Sequence, residues 1–196
     1  MTTDILESSR AKRLKALTNT VHEGVDRSIM SASSFASIER YKRFLAIQYL
    51  FHRDVAALYA DTRLQAAFPD LVQRCRLPLV VADMADLGVS APEGGDPAFI
   101  AGEPLDMGSA LGWLYVAEGS NMGAAVLRKE SQKLGLTDDL GARHLAPASE
   151  GPAPHWRAFV AALDAVELSE DEEKRAKEGA LEAFARVQAH VDAQLD

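Results

Sequence analysis

The residues of this chain that can do more than pack are five histidines, one cysteine and a cluster of glycines. None of His22, His52, His144, His155 and His190 stands in H-E-x-x-H or follows a glutamate at E-x-x-H spacing, so zinc-protease and di-iron carboxylate chemistry has no support. A one-histidine metal site stays open, because a macrocycle can supply the remaining equatorial ligands. His22 is the best placed for it. It lies on the apolar side of an N-terminal helical stretch with Asp26 at i+4, where a carboxylate can accept the second ring N–H and fix the imidazole's orientation. The same spacing also describes an ordinary surface contact worth about 0.2–0.5 kcal/mol, and the pair alone does not separate the two. His52 has Gln48 one turn before it; the two can hold water on a common face or satisfy each other in the core. His144, His155 and His190 fall in loop or polar-helix surroundings and are assigned no role. Cys75 stands between Arg74 and Arg76, which can lower a thiol pKa. No nucleophile pattern surrounds it, however, and a small buried hydrophobe is the better reading.

The segment from Gly108 to Gly123 is the other informative stretch. On an ideal helix Gly108, Gly112, Gly119 and Gly123 share one face about 60° wide. Each costs about 1 kcal/mol relative to alanine inside a helix, so something must need the missing side chains. Close approach of a second helix is one explanation. A flat ligand lying directly on the backbone, with Gly119-Ser120 as a kink, is the other.

Helices must position these groups, because apolar residues recur at helical spacing almost throughout and strand-like alternation is nearly absent. The chain of 196 residues, 47% apolar and 26% charged, reads as one all-α domain over 1–196, long enough to build a core without a disulfide or metal staple. A helix is expected from about Ile5 to Met30, loosened at Thr18-Asn19-Thr20, and a second from a Ser37 cap to about Tyr59. A third runs from Pro69 to about Leu87, kinked or divided by Pro78, with Gly88 as its cap. After a loop over 89–105, a long helix spans about Leu105 to Leu134. An irregular stretch from Gly141 to Pro154 precedes helices near His155–Val166 and Glu170–Leu195, the last capped by Ser169. A net charge of −8 and a pI near 5.1 argue against nucleic acid as the main partner. No signal-peptide pattern and no membrane-length apolar run is seen, so the expectation is a cytoplasmic protein, with monomer the default. The charge is uneven: residues 1–80 hold 12 Lys and Arg against 8 Asp and Glu, residues 81–196 hold 9 against 21.

Leu17-Thr-Asn-Thr-Val-His22, together with Gly112-Trp-Leu-Tyr-Val-Ala-Glu-Gly-Ser-Asn-Met-Gly-Ala-Ala125, closely resembles the bacterial haem oxygenases of the iron-acquisition and phytochrome-associated type. Phe44-Leu-Ala-Ile-Gln-Tyr-Leu-Phe51, Ala85-Asp-Leu-Gly88, Gly141-Ala-Arg-His-Leu145 and the Trp156…Phe159 helix extend the likeness over the whole chain in the same order. The resemblance implies a helical bundle holding haem b, both substrate and cofactor, between a proximal N-terminal helix and a kinked glycine-rich distal helix. His22 would be the proximal iron ligand, with Asp26 where the family often has an orienting glutamate. Gly119 and Gly123 would face the iron from the distal side. Polarity there would come from backbone around Gly119 and Ser120 and from water held by Gln48, His52 and Asn121, with no distal acid to promote O–O cleavage. Lys15 and Tyr115 match the positions associated with haem seating for α-cleavage, implying biliverdin IXα, carbon monoxide and ferrous iron as products. Electrons would come from a separate ferredoxin, flavodoxin-type or reductase donor, since no flavin or nicotinamide fingerprint is present. Arg10, Lys12, Arg13 and Lys15 would then form a basic edge for haem propionates and an acidic donor. Other readings are a non-catalytic haem carrier and a thiaminase-like hydrolase using Cys75.

Overall fold

The computed structural model describes residues 9–195, and among them the secondary structure is helical. The helices are α1 (Arg10–Ser31), α2 (Ile38–Ala60), α3 (Thr62–Ala67), α4 (Leu71–Arg74), α5 (Leu77–Asp86), α6 (Met107–Lys133), α7 (Pro152–Ala165) and α8 (Glu170–Leu195), with one 3-10 turn at Arg143–Leu145. The expected start of the first helix at Ile5 lies outside the described residues. Within them α1 begins where Ser9 accepts from the Lys12 N–H, an N-cap bond. The loosening expected at Thr18-Asn19-Thr20 does not occur: Thr18 is buried and its hydroxyl donates to the Leu14 carbonyl, satisfying itself inside a continuous helix. Ser37 caps α2 as its sequence position indicates, and Ser169 and Glu172 cap α8 reciprocally, each side chain bonding the other's backbone N–H.

The segment expected as a helix from Pro69, kinked or divided at Pro78, is divided at Cys75 instead. Pro69 stands in a turn, α4 lasts one turn, and the chain extends at Cys75 (φ −63°, ψ 116°) before α5 begins with Pro78 in its first turn, where a missing N–H costs nothing. The short helix α3, capped by Asp61, was not visible in the apolar periodicity.

The core forms around α2 and α6. Tyr41, Phe44, Leu45, Ile47, Val55 and Leu58 of α2 are fully buried, as are Ala110, Leu111 and Leu114 of α6. Small residues let α8 close on α6: a side chain at Gly112 would collide with backbone at Ala176, Gly179 and Ala180, and one at Gly179 with the Ser109 backbone. The loop over 89–105 is pinned by the buried Asp54. Its backbone carbonyl accepts from the Phe99 N–H, and its carboxylate accepts from the Ala98 N–H and from Arg186, while bonding His190 at 2.7 Å.

Candidate functional site

The proximal and distal helices of the sequence reading, α1 and α6, meet at Thr18 and Tyr115. Thr18 spends its proton on Leu14, and the Tyr115 phenol, whose pKa burial raises, lies beside it across the helices. One turn further along each helix stand His22 and Gly119. The His22 side chain is 56% exposed, its ring 5.3 Å from that of Phe184 on α8 and its Nε2 3.5 Å from an Asp26 oxygen. Leu17 and Val21 on α1, and Met122 and Val126 on α6, are large apolar side chains left uncovered. A side chain at Gly119 would meet only the Trp156 ring, at an ordinary 3.7 Å, and one at Gly123 would meet nothing within 4 Å. No protein contact therefore demands these two glycines, although each still costs about 1 kcal/mol of helix propensity. A flat apolar ligand with a metal at its centre accounts for the combination of exposed imidazole, uncovered aliphatics and bare backbone.

The remaining predicted residues fall as follows. Helix α6 runs uninterrupted through Gly119-Ser120, where the Ser120 hydroxyl donates to the Ala117 carbonyl at 2.7 Å, a back-bond of the kind that bends helices without breaking them. Asn121 and Gln48 are half-buried, and Lys15 is exposed on α1. His52 is buried, and its pKa is pushed down to about 3, first by burial and then by His144 and Arg76. It is neutral at physiological pH. His52 Nδ1 and His144 Nε2 are buried without a protein partner, the circumstance in which polar groups hold internal water.

One sequence expectation needs correction. Arg10 does not belong to a basic edge: it is buried, bonded to Glu173 and to the Leu163 and Val166 carbonyls, and Arg13 shares Glu173 with it. Of that quartet only Lys12 and Lys15 are exposed. His144, His155 and His190, to which the sequence assigns no role, each bond a carboxylate, that of Asp83, Glu150 and Asp54 respectively. Burial lowers the His144 pKa despite its carboxylate. A further group went unnoticed: Glu118, next to Gly119, is buried against Tyr59 and Arg74. Its signal was a lone carboxylate closing the apolar run from Trp113 to Ala117.

The fold is an all-α bundle in which a histidine-bearing helix, α1, and a glycine-bearing helix, α6, are neighbours. A sequence model of the Heme oxygenase family matches residues 101–193. The chain is 44% identical over 180 residues to the heme oxygenase PigA of Pseudomonas aeruginosa, covering 92% of this chain and 90% of that one. The NO- and CO-bound heme oxygenase of Neisseria meningitidis superposes with a TM-score of 0.88 at 42% identity, over 95% of this chain and 92% of that chain. Heme oxygenase 2 of Chlamydomonas reinhardtii, at 16% identity and a TM-score of 0.77 over 95% and 98%, shares the fold. The chain belongs to the haem oxygenase family, whose members are haem-degrading enzymes.

Proposed function

We propose that this chain cleaves haem, bound as substrate between α1 and α6, to biliverdin, carbon monoxide and ferrous iron, using dioxygen and electrons from a separate ferredoxin, flavodoxin-type or reductase donor. The observation that supports it best is the pair of uncovered glycines, Gly119 and Gly123, on the helix that faces the exposed His22. When bound, haem supplies both the iron that activates dioxygen and the carbon skeleton that is oxidised. The protein's part is to hold, orient and exclude. His22 ligates the iron, and Asp26 stands within reach of its ring to orient it. Gly119 and Gly123 let the distal backbone close on the ligand and deny that face any side-chain acid. The Ser120 proton is committed to Ala117, so its oxygen can only accept. Neutral His52, with Gln48 and Asn121, holds water that supplies polarity without a positioned acid. Tyr115, by meeting a haem propionate, and Lys15 together seat the macrocycle for α-cleavage.

A cytoplasmic monomer fits a chain with no helix, among the described residues, long and apolar enough to cross a membrane. The hydrolase reading loses ground, because burial raises the Cys75 thiol pKa and Glu118 adds to the rise. The test is single-turnover reaction of the haem-loaded protein with an electron donor and oxygen. The Soret band should disappear as biliverdin IXα and iron are released. A retained Soret band would mark a carrier, and a mainly β/δ product would sink the seating by Lys15 and Tyr115.

A further inference from the structure

The break at Cys75 has a purpose in the contact of its neighbour Arg74 with a residue 44 positions further on. In a continuous helix Arg74 and Arg76 would point about 200° apart. The extended residue between them turns both guanidinium groups inward. Arg74, with a side chain 1% exposed, donates to Glu118 Oε2 at 2.8 Å and to the His155 carbonyl at 3.0 Å, and pairs with Asp70 at 2.8 Å. Arg76 is bound to the His144 and Ala146 carbonyls, close enough for its charge to act on both Glu118 and Tyr59. The Tyr59 hydroxyl donates to the other Glu118 oxygen at 2.8 Å, and His155 Nε2 stands 3.9 Å from Oε2, the oxygen that Arg74 also bonds. Arg74 also lies 5.7 Å over the Phe159 ring, itself stacked on Trp156, the one side chain that a Gly119 Cβ would touch.

Glu118 thus ties one turn of α6 to α2 through Tyr59, to the α4–α5 break through Arg74, and to α7 through His155. A fully buried charge with one partner is costly to hold, and burial with several directed bonds fixes geometry more than it adds stability. The residue immediately after it is the first glycine with no packing of its own.

We propose that Glu118, held by Tyr59 and Arg74, is a positioning residue for the distal segment Gly119–Gly123: it sets the rotation and height of that stretch of α6, whose two glycines have no side chain with which to anchor it. The inference rests on the reading of that cleft as the haem site, but its first test does not.

Amide hydrogen exchange of the haem-free full chain, compared among the parent, Tyr59→Phe, Glu118→Gln and the distant ion-pair control Glu173→Gln, reads the segment directly. Tyr59→Phe removes one oxygen and keeps the charge pair, so it serves where Glu118→Gln fails to fold. Exchange at 119–123 should rise about tenfold in Tyr59→Phe, the shift expected from one lost buried hydrogen bond, while exchange at 107–115 stays at the parent level. Glu173→Gln should leave 119–123 unchanged relative to the rest of the chain. In the haem-loaded protein, the carbonyl stretch of the CO complex should shift in Tyr59→Phe and stay in Glu173→Gln. Unchanged exchange at 119–123, or a rise equal across the chain, overturns the proposal. Local loosening without any haem binding would support the positioning role and instead refute the haem site.

Discussion

Helix α6 carries the same residue, on the same face, for two unrelated reasons. In its first half Gly108 and Gly112 are filled by protein: the backbone of α8 at Glu172, Ala176, Gly179 and Ala180 occupies the space their side chains would take. In its second half a side chain at Gly119 would meet only the Trp156 ring at an ordinary 3.7 Å and one at Gly123 nothing within 4 Å, so no contact among the described residues needs them small. Helix packing accounts for the first half of the stripe, and a ligand is the explanation proposed for the second. A helical wheel shows which residues share a face but not what lies on it. Only the divergence of the neighbouring helix separates a packing glycine from a ligand glycine.

The largest effect that sharpens this contrast is on stability. In Gly112→Ala the new methyl meets carbonyl and amide atoms of α8, the Ala180 nitrogen among them at 2.6 Å, and backbone cannot swing aside as a side chain can. We expect a loss of about 3 kcal/mol or failure to fold, measured by denaturant unfolding of the haem-free protein. An unchanged midpoint would mean that the seam between α6 and α8 is looser than described.

Gly119→Leu should do the reverse. The chain keeps its fold within about 0.5 kcal/mol because the cleft has room, but haem turnover falls about 100-fold as the distal backbone is held off the ligand. Parent-rate turnover would remove Gly119 from the distal wall. His22→Ala belongs to the same comparison from the opposite helix. The side chain is 56% exposed, so the thermal midpoint should stay put while the histidine-ligated haem spectrum disappears.

The sequence made the helices legible wherever a local rule decides them. Ser37 and Ser169 sit where caps must be, and Gly88 and Gly135 end helices with the positive φ that glycine adopts freely. What it hid were decisions taken by residues far apart in the chain. The α4–α5 break reflects Arg74 and Arg76 turning toward Glu118. His144 and His190 could be given no role because their partners Asp83 and Asp54 lie 61 and 136 residues away. Arg10 looked like part of a basic surface for the same reason, since Glu173 is 163 residues on. His22 and the second glycine pair could be picked out because a site that faces a ligand leaves its residues locally unexplained. Glu118 could not, because its partners explain it completely.

Acid separates the seam from the polar interior. The α6–α8 glycine contacts are backbone atoms and do not titrate. His52 does, with a folded-state pKa of about 3 against about 6.5 in an unfolded chain. Between these values the unfolded state binds the proton and the folded state does not, so stability falls as pH drops below about 6.5, by up to about 1.4 kcal/mol per pH unit for each such histidine. His144, also lowered by burial, acts in the same direction. Asp54 and Asp83, held below the usual carboxylate range by their bonds to His190 and Arg186 and to His144 and Arg143, add to the loss only at lower pH. Stability measured from pH 7 to 4.5 should therefore slope downward, and His52→Gln should remove about half of that slope. A milder seam variant, Gly108→Ala, should displace the curve without changing its shape. A slope that survived His52→Gln intact would show that His52 is already protonated in the fold.

The smallest effect is the most diagnostic, because its sign opposes that at Gly112. An alanine methyl at Gly123 meets no atom within 4 Å, so the haem-free protein has no packing to lose and gains helix propensity. Gly123→Ala should raise its stability by up to about 1 kcal/mol. The same methyl projects into the space assigned to the substrate, so haem affinity should fall in the variant whose apo fold is firmer. Stability retained at a cost to function is what a ligand site shows when a residue is kept for binding and not for folding. If Gly123→Ala destabilised the haem-free chain, the second half of α6 would be packed like the first, and the division of the stripe into two kinds of glycine would fail.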